Sequence, residues 1–292
     1  MPEAGGAQSM SGAYLLLDSL QIQHLPTRLA QLAPDAPMHL LYLNTAYADL
    51  IDCSPILIPV VPDSDLARTF AMTWRASAGL WLETDVDEYE LLEHLRSLVH
   101  VRLDGGCSAF FRYVDPRIAR LWLTGLTPAA RDRVMGPIRC VQLPEADGSE
   151  LRITQHNPEQ PSARYASTPW LHLSSEQLAH IVQAQREGFD HRLVEHGLRH
   201  FPDCFEGLDE PARRQWAMAC RRSAERQGFS AEDEVMCWVA LYARLGEAFP
   251  DGPEHGVYRE RLKEQGLLPE QRLSNLLIEL SRHPLNHKER ME

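Results

Sequence analysis

The chain has 292 residues, with 29 Lys plus Arg against 41 Asp plus Glu and a formal net charge of -12 at pH 7. That balance argues against nucleic-acid backbones and anionic membrane surfaces as main partners. The apolar fraction of 44% is ordinary for a globular protein and allows a sizeable core, in one large domain or two smaller ones.

The opening MPEAGGAQSMSG has no basic segment followed by an apolar core, so residues 1–12 read as a flexible leader rather than a signal peptide. No apolar run approaches membrane-spanning length. Tyr14 to Leu17 is a short apolar run ending at Asp18, which predicts a buried strand. Gln23 to Leu32 predicts a helix closed by Pro34 and Pro37. Met38 to Leu43 and Pro55 to Val61 predict two more strands, the prolines placing the second at an edge or a strand end. Asp63 to Trp74 reads as helix and Gly79 to Glu83 as strand. Asp87 to Leu98 carries Leu91, Leu92, Leu95 and Leu98 at helical spacing.

Val99 to Leu103 and Cys107 to Val114 predict two strands around the turn Asp104-Gly105-Gly106. Asp115-Pro116 then opens a helix through Trp122, because Asp can accept first-turn amide hydrogens and Pro needs none at the first helical position. At this corner Arg112 is either a charge on the exposed strand face or a partner for Asp115; alternatively Arg112, Tyr113 and Asp115 form a recognition surface. Thr127-Pro128 repeats the cap-plus-proline opening. Residues 13–143 thus read as an α/β or α+β domain with a mixed sheet.

Residues 144–170 are polar and rich in turn formers, which predicts a boundary segment holding one strand at Leu151 to Thr154. Residues 171–292 read as an all-helical lobe. Ser174 with Gln177 fits a capping box, and Leu178, Ile181, Val182, Phe189, Leu193, Leu198 and Phe201 lie roughly on one face. Glu210 to Gln227 is a second helix. Ser230 is expected to cap a third, with Glu232, Asp233 and Glu234 in its first turn. Pro269 to Arg282 is the last helix.

Candidate chemistry is sparse. No glycine-rich phosphate motif follows the first strand. Cys53, Cys107, Cys140, Cys204, Cys220 and Cys237 form no CxxC and no zinc spacing, which suits reduced thiols in a cytosolic protein. His196, His200 and Cys204 are spaced for one helix face, with His191 nearby, but Pro202 should break that helix and no HExxH is present. Glu83, Asp85, Asp87 and Glu88 form an acidic cluster that could do acid–base work, hold a cation or simply be solvated. Lys263 and Lys288 are the only lysines; an Arg-dominated basic set suits protein interfaces. Trp216, Trp238 and Tyr242 are either core residues or interface anchors.

Several pieces recur together and in order: YLLLDS at Tyr14, LYLNT at Leu41, DCSPILIPV at Asp52, GLWLET at Gly79, HLRSLVHVRLDGG at His94, FFRYVDPR at Phe110 and VMGPI at Val134. This set resembles the bacterial type VI secretion effector chaperones, or adaptors, whose shared domain long carried only an unknown-function label. The resemblance covers about residues 14–140. It implies a non-enzymatic, cytoplasmic protein without cofactor or metal, which binds a toxic effector, through the effector's N-terminal region, and helps load it onto the VgrG spike protein. The family signature maps onto Asp18, Pro55, Asp104, Gly105, Arg112, Tyr113, Asp115 and Pro116, most of which are expected to shape the fold. Arg117, Trp216, Trp238 and Tyr242 are the candidate partner contacts, with the cargo groove expected between the two domains. The alternatives are a metal-assisted α/β hydrolase and an immunity-type toxin-binding protein.

Overall fold

The unbroken run Leu15-Leu16-Leu17 marks the centre of the first half of the protein. In the computed structural model, which describes residues 12–145, 149–264 and 266–282, this run ends strand β1, Gly12–Leu17. β1 lies between β3, Ile56–Pro59, and β4, Gly79–Thr84, antiparallel to both. With β2, His39–Leu40, β7, Ile138–Pro144, and β8, Glu150–Thr154, the described sheet runs β2-β3-β1-β4-β7-β8, and every pairing is antiparallel.

All three leucines are fully buried because helices cover both faces of this sheet. Leu15 and Leu17 meet α1, Leu25–Leu32, and α2, Asp65–Thr69, in one cluster with Leu29, Leu66, Phe70 and Trp74. Leu16 points the other way. It joins Leu57, Leu80 and Leu82 against α3, Glu88–Ser97, and α4, Pro116–Thr124. A smaller sheet pairs β5, His100–Leu103, antiparallel with β6, Ser108–Phe110, and parallel with β9, His172–Leu173. The expected mixed sheet is therefore this small one.

The helix openings follow local chemistry. The Asp87 carboxylate accepts the Tyr89 and Glu90 amides, Asp115 accepts the Arg117 amide, and the Thr127 hydroxyl accepts the Ala130 amide at the start of α5, Pro128–Met135. Pro116 and Pro128 occupy first-turn positions.

Several expected elements are shorter. α1 begins at Leu25, since His24 sits in the left-handed region with φ 54. The strand expected over Met38 to Leu43 keeps only two residues; the chain then leaves the sheet, and a 3₁₀ turn spans Ala48–Cys53. The helix expected from Asp63 is capped by Ser64 and widens into a π turn at Phe70–Trp74. The strand expected to reach Val114 stops at Phe110, because burying Tyr113 turns the chain inward. Most of the proposed leader, residues 1–11, lies outside the described residues. Gly12 already belongs to β1.

The chain divides into two units, Met1–Gln183 and Ala184–Glu292, and the division falls inside α6, Ser175–His200. The described part of the expected boundary segment, 144–170, falls within the first of these units. In the second unit, α7, Glu210–Arg226, α8, Glu232–Leu245, α9, Gly256–Leu262, and α10, Pro269–Arg282, surround Trp238 and Phe229. The buried Arg221 guanidinium grips Asp190 at 2.7 and 3.1 Å. Ser230 is not the cap of α8: Ala231 holds that place, and the Glu234 carboxylate reaches back to accept the Ser230 and Ala231 amides. On α6, Leu198 is exposed, unlike Phe189 and Leu193 on the expected apolar face. Among the described residues no helix is long and apolar enough to cross a membrane.

Candidate interaction surface

β1 delivers Asp18 to the end of the central strand, where it is 1% exposed. A carboxylate there is costly unless its oxygens are paired. Oδ1 accepts the Leu20 amide at 3.0 Å, which shapes the turn, and Oδ2 accepts Arg112 Nη2 at 2.5 Å. The Arg112 side chain remains one-third exposed. Asp115 is therefore not the partner of Arg112. It caps α4 and holds Arg117 through both oxygens, at 3.0 and 2.7 Å. Tyr113 is buried, and its hydroxyl donates to the Leu95 carbonyl at 2.7 Å; burial pushes that phenol well above its usual range. Pro55 is buried at the start of β3, and its carbonyl accepts the Leu41 amide. Gly105 has φ 87, which the Asp104-Gly105-Gly106 turn requires. Asp104 accepts the Ser175 amide at 2.7 Å and lies 2.9 Å from His172; the Ser175 bond, above all, holds its carboxyl below the usual range.

Beside Asp18, the β1–α1 turn and the stretch through Ala48–Cys53 enclose a cleft of about 330 Å³. Ile22, Leu25 and Ile56 are its buried floor, and Ile51 and Leu40 are half-buried lining residues. His24 and Asp52 are exposed at its rim. The hydroxyls in it are already engaged: Ser19 donates to the Ser54 carbonyl at 2.6 Å, and Ser54 donates to the Pro55 carbonyl while accepting the Tyr42 amide.

The same excursion between β2 and β3 carries exposed Leu43 and Leu50. Its Tyr47 packs against the exposed ring of Phe110, with centroids 4.8 Å apart, and Tyr42 lies edge-on to Phe110 at 5.4 Å. Tyr47 also meets His100, on which Tyr165 stacks at 4.8 Å.

Tyr165 belongs to a strap without regular structure that runs from Gln155 to Trp170 and lies along α3. Three α3 side chains at i, i+4 and i+7 receive it: Glu90 bonds to the Ser162 hydroxyl, His94 Nδ1 accepts the Ala163 amide at 3.1 Å, and the Ser97 hydroxyl accepts Trp170 Nε1 at 2.9 Å. Since Nδ1 accepts, Nε2 carries the proton and donates to the Val134 carbonyl at 2.9 Å. Burial lowers the His94 pKa from 6.5 to about 4, against the Val134 bond and Glu90, which raise it. Gly136, at φ 55, leaves room for this ring; a Cβ there would lie 2.3 Å from it. The buried Asp132 carboxylate accepts the His156 and Asn157 amides at the start of the strap.

Other candidates are used inside the fold. Glu83 binds Arg152 at 2.9 Å and Gln142 at 2.9 Å, Asp85 binds Arg139, Asp87 caps α3, and Glu88 lies 3.4 Å from His39. The rings of His196 and His200 are 4.6 Å apart at the end of α6, while the Cys204 thiol donates to the Ala243 carbonyl. Among the described residues no group of three or more His, Cys, Asp or Glu is placed to hold a metal ion. Trp216, Trp238 and Tyr242 are 6%, 0% and 3% exposed in the core of the second unit, so they anchor that core and present no surface. Arg117 alone of the four candidate contacts is partly exposed, and its fork is occupied by Asp115.

His94, Tyr47 and the cleft escape a reading by motif. His94 had one signal: it lies three after Leu91 and four before Leu98, on the apolar face of its helix.

Residues 13–133 match the family model described as Domain of unknown function (DUF4123). The chain is also 27% identical over 270 residues to the accessory protein VasW of Vibrio cholerae serotype O1, covering 85% of this chain and 79% of VasW. No solved structure gives a significant match.

Proposed function

We propose, because residues 13–133 match the DUF4123 family model, that the chain is a type VI secretion effector adaptor: a cytoplasmic, non-enzymatic protein which binds an effector and promotes its loading onto the VgrG spike. The carrying observation is the match itself, which spans the buried Asp18–Arg112 pair and the Asp115-Pro116 helix entry. The likeness to VasW extends the comparison to 85% of the chain, past the matched domain. The arrangement of side chains agrees with binding rather than turnover. The acidic cluster is spent on ion pairs, a cap and His39, while exposed Leu43, Leu50 and Phe110 gather on or against one excursion. The effector's N-terminal region is the expected cargo.

The test is deletion of the gene in cells with an active secretion system. Effector in the medium should fall to background while a second, unrelated effector is still exported, and tagged protein should recover both the effector and VgrG. Undiminished export refutes the adaptor role. Protection of a cell from the isolated toxin domain would instead identify an immunity protein.

A further inference from the structure

We propose that the cleft between the β1–α1 turn and the Ala48–Cys53 turn receives a bulky apolar side chain from an extended segment of the partner, whose neighbouring Lys or Arg meets Asp52. The proposal deepens the adaptor reading and rests on it.

Size comes first. About 330 Å³ is at the small end of ligand pockets, which suits one or two side chains. The chemistry of the lining comes next. The floor is the carbon of Ile22, Leu25 and Ile56, each no more than 2% exposed. The two serine hydroxyls have spent their protons on the Ser54 and Pro55 carbonyls. A ligand that needed donors from the floor would find none there, so an apolar anchor fits best.

Apolar side chains are also exposed next to the lining in sequence. Leu20, 56% exposed, follows Ser19 of the lining, and Leu50, 46% exposed, precedes Ile51. Exposed apolar residues next in sequence to the lining suit a side chain delivered by a longer segment. Charge then selects the flank. Asp52 is the one carboxylate of the lining, and Asp49 is exposed on the same 3₁₀ turn. Neither enters an ion pair among the described residues. They favour a cationic neighbour and repel an anionic one. His24, in the left-handed region at the N-cap of α1, also lines this cleft.

The experiment uses the full chain with labelled Ile and Leu methyls and acetylated Gly/Ser peptides carrying Phe-Arg, Phe-Glu or Ala-Arg at the centre. Phe-Arg should shift the Ile22, Ile51 and Ile56 methyls and bind roughly two- to five-fold tighter than Phe-Glu, the range of an exposed charge pair. Ala-Arg should leave these methyls unmoved, and Asp52→Lys should reverse the order of the two Phe peptides. No shift at millimolar peptide, or equal affinities, overturns the proposal. Ile51→Glu, checked for folding by circular dichroism, separates the cleft from the adaptor role. Loss of effector capture by this variant supports the cleft. Full capture overturns the cleft and leaves the adaptor reading standing, which only failure of the unsubstituted chain would refute.

Discussion

Acidification should loosen the first unit through His94. The ring is fully buried, donates from Nε2 to Val134, and accepts the Ala163 amide on Nδ1. A second proton would have to enter at Nδ1, where it would face another N–H. The folded pKa, about 4, is below the ordinary 6.5 because burial penalises the cation. The unfolded chain therefore binds the proton more readily, and the stability tied to neutral His94 is complete above pH 6.5 and lost as pH falls toward 4. At 1.36 kcal/mol per pH unit the full window amounts to about 3 kcal/mol, of which about 2 kcal/mol is lost between pH 7 and pH 5. His94→Gln keeps one donor and one acceptor but cannot titrate. Urea unfolding followed by pulsed hydrogen exchange, read on peptides from residues 12–183, measures both proteins. The wild type should lose about 2 kcal/mol more than His94→Gln over that interval. Parallel pH profiles, or a wild type that gains relative stability at pH 5, would refute the reasoning.

The Asp18–Arg112 pair should respond unequally to its two truncations. Arg112→Met strands a carboxylate that is 1% exposed and should cost about 3 kcal/mol. Asp18→Asn leaves a guanidinium that is one-third exposed and can reach water, so the cost should be about 1 kcal/mol; the reverse order would contradict the burial assigned to Asp18. Trp238→Ala removes a fully buried ring that lies 5.4 Å from Phe229 and 5.0 Å from Phe249. It should cost about 4 kcal/mol. Exchange protection should then drop in peptides from residues 184–282, and an equal drop in residues 12–145 would argue against separate cores.

What could be read from the sequence was what local chemistry decides. Asp87, Asp115 and Thr127 announce their helices because a cap acts on amides two or three residues away. The Leu15–Leu17 run announces its strand because it is buried on both faces. Arg112 is different: its partner Asp18 is 94 residues earlier, and no spacing rule reaches that far. Phe111 to Val114 favours a strand by residue type, yet the Tyr113 hydroxyl must find a buried acceptor, and Leu95 supplies it. Trp216 and Trp238 show the limit of composition, since the same residue types build cores and interfaces. The strap misleads most. Its prolines and serines resemble a connector, whereas the groups that fix it, Asp132, His94 and Ser97, belong to other elements.

The strap and its neighbouring strands have a practical consequence for anyone who cuts this protein. The recognised family pattern stops at residue 133. The sheet it begins still needs β7 and β8, which supply Val141, Leu143 and Ile153 to the same core as Leu82. A fragment ending at 133 would bare one side of β4 from Trp81 to Thr84 and offer it to the next molecule in solution, an invitation to aggregate. A fragment ending at 170 would still lose β9, whose Leu173 pairs with Leu103. An excised domain that stays monomeric is expected to need residues through Leu173, some forty beyond the end of the family pattern.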